Sequence, residues 1–133
     1  MGKEIRVSPL GKTWILDLDG TIVKHNGYKI DGKDSFLEGA KEFLDSIPET
    51  DQIIFLTSRK DVAEEGMAQS AKEMTEEFLK EHNVRYHHII YNAPYGERIL
   101  INDDKPSGLK MAHAVTPQRD KFFEEKFVID EEL

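Results

Sequence analysis

The chain contains no cysteine, which excludes a disulfide framework and any thiolate catalysis or thiolate metal site. It has a single tryptophan and five prolines in 133 residues, and no repeat or low-complexity segment. No apolar run approaches the length of a membrane span, and the N-terminal region lacks a signal-like apolar stretch, so a cytoplasmic location is expected. Basic residues are also short: 18 Lys and Arg stand against 26 Asp and Glu, a net charge of −8. A nucleic-acid groove needs clustered cations, so that partner class is excluded. A small anionic substrate is not, because a bound metal inverts the local charge. Hydrophobic residues at 38% and charged ones at 33% fit one globular domain over residues 1–133, large enough for a real core.

What is present is a set of strand ends carrying polar tips. Trp14-Ile15-Leu16-Asp17-Leu18-Asp19-Gly20-Thr21 is an apolar run ending in two carboxylates one residue apart. The run reads as a buried parallel strand, and Asp-Gly ends it. Asp17 and Asp19 then leave the C-terminal end of the strand on one side, with Leu18 on the other. Ligands of open α/β sheets bind at that end. Two like charges so close call for a counter-charge, and a divalent cation is the usual one. The alternative is a solvated strand-to-turn junction that happens to carry two Asp. A second strand end, Ile53-Ile54-Phe55-Leu56-Thr57-Ser58-Arg59, finishes in hydroxyls and a guanidinium. A third, Ile99-Leu100-Ile101-Asn102-Asp103-Asp104, again ends in adjacent carboxylates before Lys105-Pro106-Ser107-Gly108.

This ordered set resembles the haloacid dehalogenase superfamily over Thr13 to Pro106. Asp17-Leu18-Asp19-Gly20-Thr21 resembles the family's nucleophile loop, Thr57 its second motif, and Asp103-Asp104 its acidic fourth motif. The spacing is most similar to small members without a cap, among them capsule and polysaccharide biosynthesis phosphatases. The resemblance implies a magnesium-dependent phosphomonoester hydrolase. Asp17 would attack phosphorus and be held as an aspartyl-phosphate, splitting one displacement into two. Asp19 would protonate the leaving alcohol and then activate water. Magnesium would be held by Asp17, the backbone carbonyl of Asp19, and Asp103, with Asp104 as a direct or outer partner. Gly20, Thr57 and Ser58 would contact the phosphoryl group, and Arg59 would clamp it or form a surface ion pair. Thr57 and Ser58 also read as the N-cap of a following helix.

The chain departs from the family at the third motif, a lysine before the fourth-motif strand. The comparable stretch, Ile90-Tyr91-Asn92-Ala93-Pro94-Tyr95-Gly96, has Ala93 before the proline. The surrounding cations, Arg98, Lys105, Lys110 and Lys72, do not fit the spacing. A second function class is therefore carried: a catalytically weak domain that keeps metal and phosphate binding for a regulatory or assembly role. A third is an acidic protein-binding module with an incidental metal site.

The remaining expectations concern architecture. The fold is α/β, a single Rossmann-like domain with a central parallel sheet flanked by helices. Ile22 to Ile30 reads as a β-hairpin flap turning at Asn26-Gly27, which makes Lys24, His25, Tyr28 and Lys29 either substrate contacts or solvent-exposed. Ser35-Phe36-Leu37-Glu38 is a capping-box pattern opening a helix with Leu37, Ala40, Leu44 and Ile47 inward, ended by Pro48. A longer helix is expected from Asp61 to Glu81, with Met67, Ala71, Met74 and Phe78 on its apolar face. His82, His87 and His88 do not read as a metal cluster, since His87 and His88 point to opposite sides of a strand. Met111 to Val115 reads as a short strand or an extended segment, and Thr116-Pro117 as a helix start. The tail's Phe122, Phe123, Phe127 and Val128 pack on the domain or on another subunit. The intervals between the motifs leave no room for a cap domain. The site should then be open to a bulky phosphorylated substrate (a sugar phosphate, nucleotide-sugar or glycan-linked phosphate), with a homo-oligomer partner as an alternative lid.

Overall fold

The computed structural model describes residues 3–133 and shows an α/β protein built on two small parallel sheets. The elements run β1 (Glu4–Val7), β2 (Thr13–Leu16), α1 (Gly27–Ile30), α2 (Ala40–Ser46), β3 (Gln52–Leu56), α3 (Ala71–Glu81), β4 (His88–Ile90) and β5 (Lys126–Ile129). One sheet has the order β2-β3-β4 and the other pairs β1 with β5. In the first, Trp14 lies opposite Ile53 and Leu16 opposite Phe55, which brings the ends of β2 and β3 level. Alternation along β3 sends Ile53 and Phe55 into the core, where Leu18, Ile22, Leu44 and Leu79 meet them. Among the described residues no helix is long and apolar enough to cross a membrane.

Pro48 stops α2 as expected: Ile47, before it, is extended. The start of α2 differs. Gly39, at φ +90°, caps it without a side chain, because Ser35 and Leu37 are drawn into backbone pairing. Lys24 N donates to Ser35 O and Leu37 N to Ile22 O. That pairing also displaces the expected hairpin. Asn26 is left-handed at φ +54°, but Gly27 is helical, so the type I′ turn, which needs positive φ at both residues, does not form. The chain makes one helical turn, α1, before it pairs. The long helix is shortened too. Gly66 sits at φ +82°, and α3 begins only where Ser70 caps it, accepting from Glu73 N at 3.0 Å.

Two further expectations are corrected. Ile99 to Ile101 is not a strand: Ile99 is 83% and Ile101 91% exposed. A parallel neighbour for β2 must start at the far end of the sheet, which takes a crossover of about a dozen residues or more. The connection from Ile90 is shorter, and Arg98 anchors it at the near end by donating to Ser58 Oγ. Met111 to Val115 forms no strand and Thr116-Pro117 starts no helix. The tail instead supplies β5. Its phenylalanines settle on the domain: Phe123 and Phe122 meet Phe43 at centroid distances of 5.0 and 5.7 Å, and Phe127 meets Trp14 at 4.9 Å. These edge-on and tilted contacts each contribute about 0.5–1.5 kcal/mol beyond burial, and they hold the tail beside β2 and α2.

Candidate active site

The polar ends of β2 and β3 converge as their register requires. Beyond Leu16 the chain turns tightly about Leu18, whose carbonyl accepts from the N–H groups of Thr21, Ile22 and Val23 at 3.2, 3.0 and 3.0 Å. Leu18 is buried beneath this turn, and Asp17 faces out. Gly20 makes the turn possible at φ +82°, where an L side chain is strained. Thr21 Oγ1 returns to donate to Asp17 Oδ2 at 3.0 Å. Partial burial raises the Asp17 pKa, and the neighbouring Asp19 charge adds to that. The Thr21 and Leu18 hydrogen bonds and the charge of Arg98 oppose it.

Asp19 has a different fate. Both its carboxylate oxygens accept from Arg59, Oδ2 from Nε at 3.0 Å and Oδ1 from Nη2 at 2.8 Å. The same guanidinium reaches Asp34 at 2.9 and 2.8 Å and Thr75 Oγ1 at 2.7 Å. All five of its N–H donors are used. Tyr28 covers it, with the ring centroid 4.2 Å from the guanidinium carbon. Burial works against the Arg59 charge, but the two carboxylates outweigh it and raise the pKa. Arg59 is thus a buried ion-pair centre joining four segments, and no N–H remains for a substrate phosphate. Of the two sequence readings, phosphate clamp or surface ion pair, the structure shows an ion pair, buried and not at the surface.

Thr57 is buried at the end of β3 and accepts from Arg59 N at 3.1 Å, a local hydroxyl turn in place of a helix cap. Ser58 Oγ donates to Pro94 O at 3.4 Å and accepts from Arg98 at 3.2 Å. Arg98 also donates to the carbonyls of Pro94 and Gly96 at 2.5 and 2.9 Å. A cation near Asp17 therefore comes from position 98, held by backbone carbonyls that no sequence spacing announces. Lys24 and Lys29 are committed to Asp31 (2.9 Å) and Glu64 (3.9 Å), while Tyr28 is buried on Arg59.

Asp103 and Asp104 are not brought to this site. They stand in the exposed segment after Ile101, where Lys110 pairs with Asp104 at 3.3 Å. Among the described residues no three His, Asp or Glu side chains converge as a metal cluster. At the end of β2 a divalent cation would find the Asp17 carboxylate outside any ion pair among the described residues, whereas Asp19 is held by Arg59. Magnesium is commonly bound through one or two carboxylates, water and substrate phosphates. The donor set fits that mode and not a closed protein cage.

The tail contributes a contact with no sequence signal. Asp120 N donates to Gly20 O at 2.8 Å, and Asp120 Oδ1 accepts from His25 N at 2.7 Å. A cavity of about 400 Å³ lies against α3, lined by residues including Asp34, Phe36, Phe78 and His82; none of the strand tips lines it, and Asp17 itself is exposed. Compared with protein-family models, curated proteins and solved structures, the chain matches none.

Proposed function

We propose that this protein is a magnesium-dependent phosphomonoester hydrolase of the haloacid dehalogenase type, on a Rossmann-like scaffold without a cap, with Asp17 as the nucleophile. The observation that supports it most is the Asp17 carboxylate itself. It is presented at the end of a parallel strand, braced by Thr21, free of ion pairs among the described residues, and influenced by Arg98. Asp17 forms a bond to phosphorus as the bond to the leaving alcohol breaks, and water then cleaves the acyl phosphate. Asp19 carries the proton to the alcohol and takes one from water. Arg59 occupies both Asp19 oxygens, so proton transfer by Asp19 requires one of these bonds to open. When bound, magnesium would neutralise charge on the phosphoryl oxygens, held by Asp17 and the Asp19 main chain. The open surface suits a phosphate on a bulky group.

A second reading has a specific observation in its favour. Arg59 occupies both Asp19 oxygens, and the second acid pair lies apart, an arrangement also suited to a weak catalyst that binds metal and phosphate for a regulatory role. The test is phosphate release from a broad phosphomonoester panel, with and without magnesium, for wild type and Asp17→Asn. Magnesium-dependent release that the variant loses supports the hydrolase. Absence of release from every substrate, with a magnesium-induced rise in melting temperature, supports the binding role.

A further inference from the structure

We propose that Arg119 is the anion-binding side chain of the Asp17 site, contacting the phosphate of the ligand from the C-terminal segment. This rests on the reading of the site as a phosphate site. Four observations lead to it.

The first is packing. A Cβ at Gly20 would lie 2.9 Å from Arg119 Cγ and 3.7 Å from its Cβ and Cδ. The aliphatic stem of Arg119 therefore lies directly on the nucleophile loop, on the one residue there without a side chain. The second is anchoring. Asp120 holds the next position with its N–H on Gly20 O and its carboxylate on His25 N, at 2.8 and 2.7 Å. Asp120 is itself left-handed at φ +63°, a conformation Asp tolerates better than most residues. The phenylalanines beyond it are packed on Phe43, so the segment that follows Arg119 is fixed at two points.

The third is elimination. A phosphate dianion on an acidic chain requires cations, and most of those around the site are engaged. Arg59 spends every donor on Asp19, Asp34 and Thr75. Lys24 and Lys29 have acidic partners. Arg98 is held by two carbonyls and Ser58, uncharged partners that leave it a cation beside Arg119 and not a substitute for it. The fourth is availability. Arg119 is exposed, and among the described residues its guanidinium has neither an ion pair nor a hydrogen bond. Its stem is thus ordered on the loop while its head stays free, and a planar guanidinium matches phosphate oxygens in a bidentate manner.

The test uses the full chain and inorganic phosphate, with calorimetric affinity and melting temperature as readouts beside turnover. Arg119→Met keeps the stem on Gly20 and removes the charge. It should fold with an unchanged melting temperature, bind phosphate about 10- to 100-fold more weakly, as expected for a lost charge-assisted contact, and raise KM more than it lowers kcat. Arg119→Lys should restore part of the affinity. Wild-type phosphate affinity in Arg119→Met overturns the proposal. Wild type that binds phosphate through Arg119 but hydrolyses no ester upholds it while the hydrolase reading fails. Wild type that binds no phosphate overturns both.

Discussion

Replacing Arg59 by Met tests the charge cluster at the centre of the site. The Arg59 and Asp34 side chains are each 2% exposed, whereas Asp19 is 19% exposed. Removing the guanidinium takes two donors from each carboxylate. Asp19 can recover water, but Asp34 is left as a buried charge without a cation. Breaking a buried pair by removing one partner costs about 3–5 kcal/mol, and here most of it falls on Asp34. Unfolding entropy of about 2.1 cal/mol/K per residue over 133 residues converts this to a drop of about 11–18 °C in melting temperature. The assay is urea unfolding at pH 7, where the midpoint should fall with the slope unchanged. A second variant, Arg59→Met with Asp34→Leu, should recover most of the loss, because an apolar replacement of the whole pair is often neutral. A loss below about 1 kcal/mol in Arg59→Met, or a double variant no more stable than the single one, would refute the reasoning.

Other expectations are independent of this cluster. Asp17→Asn should abolish turnover and also raise stability at neutral pH. The folded Asp17 pKa is raised, so its contribution to stability is full below the unfolded value, about 3.9, and is lost as pH rises through the folded one. The advantage of the variant should accordingly shrink on acidification in paired thermal melts across pH. Ile101→Ser should change stability by no more than about 0.5 kcal/mol, while Phe55→Ala, at a fully buried position, should cost about 3–5 kcal/mol; comparable losses would mean that Ile101 is buried after all. Ser70→Ala removes the cap of α3 and should cost about 1 kcal/mol by chemical denaturation. Gly20→Ala should cost more in the wild type than in an Arg119→Ala background, where only the strain at φ +82° remains and the close approach to the Arg119 stem is gone.

Several features were legible because they depend on neighbours in the chain. The runs before Asp17 and Thr57 form β2 and β3, since apolar stretches closed by turn residues leave a chain few other ways to bury themselves. Pro48 ends α2 because the residue before a proline is driven out of the helical region. Asp17 follows β2 directly and stands exposed at its end, a placement that is equally local. Other features were hidden. The hairpin at Asn26-Gly27 was outcompeted by pairing with residues 35–37, a contact that the local turn preference does not contain. The apolar spacing from Asp61 to Glu81 continues through Gly66, which is left-handed, and Ser70, which caps α3, so the shorter helix is not visible in that spacing.

By itself the sequence determined two of the polar strand tips, those after β2 and β3, and the acidic pair on the loop after β2, because covalent spacing suffices for these. Tertiary structure decided what each polar group does. Arg59 was drawn away from any ligand by Asp34, which lies 25 positions away, and Asp103 and Asp104 were left apart by the short connection behind Arg98. Arg119 came to rest on Gly20 because a cluster of phenylalanines held the tail against Phe43 and Trp14. Charges act over ångströms in space and not along the chain, so the partner of each charged group depended on packing that local patterns do not encode.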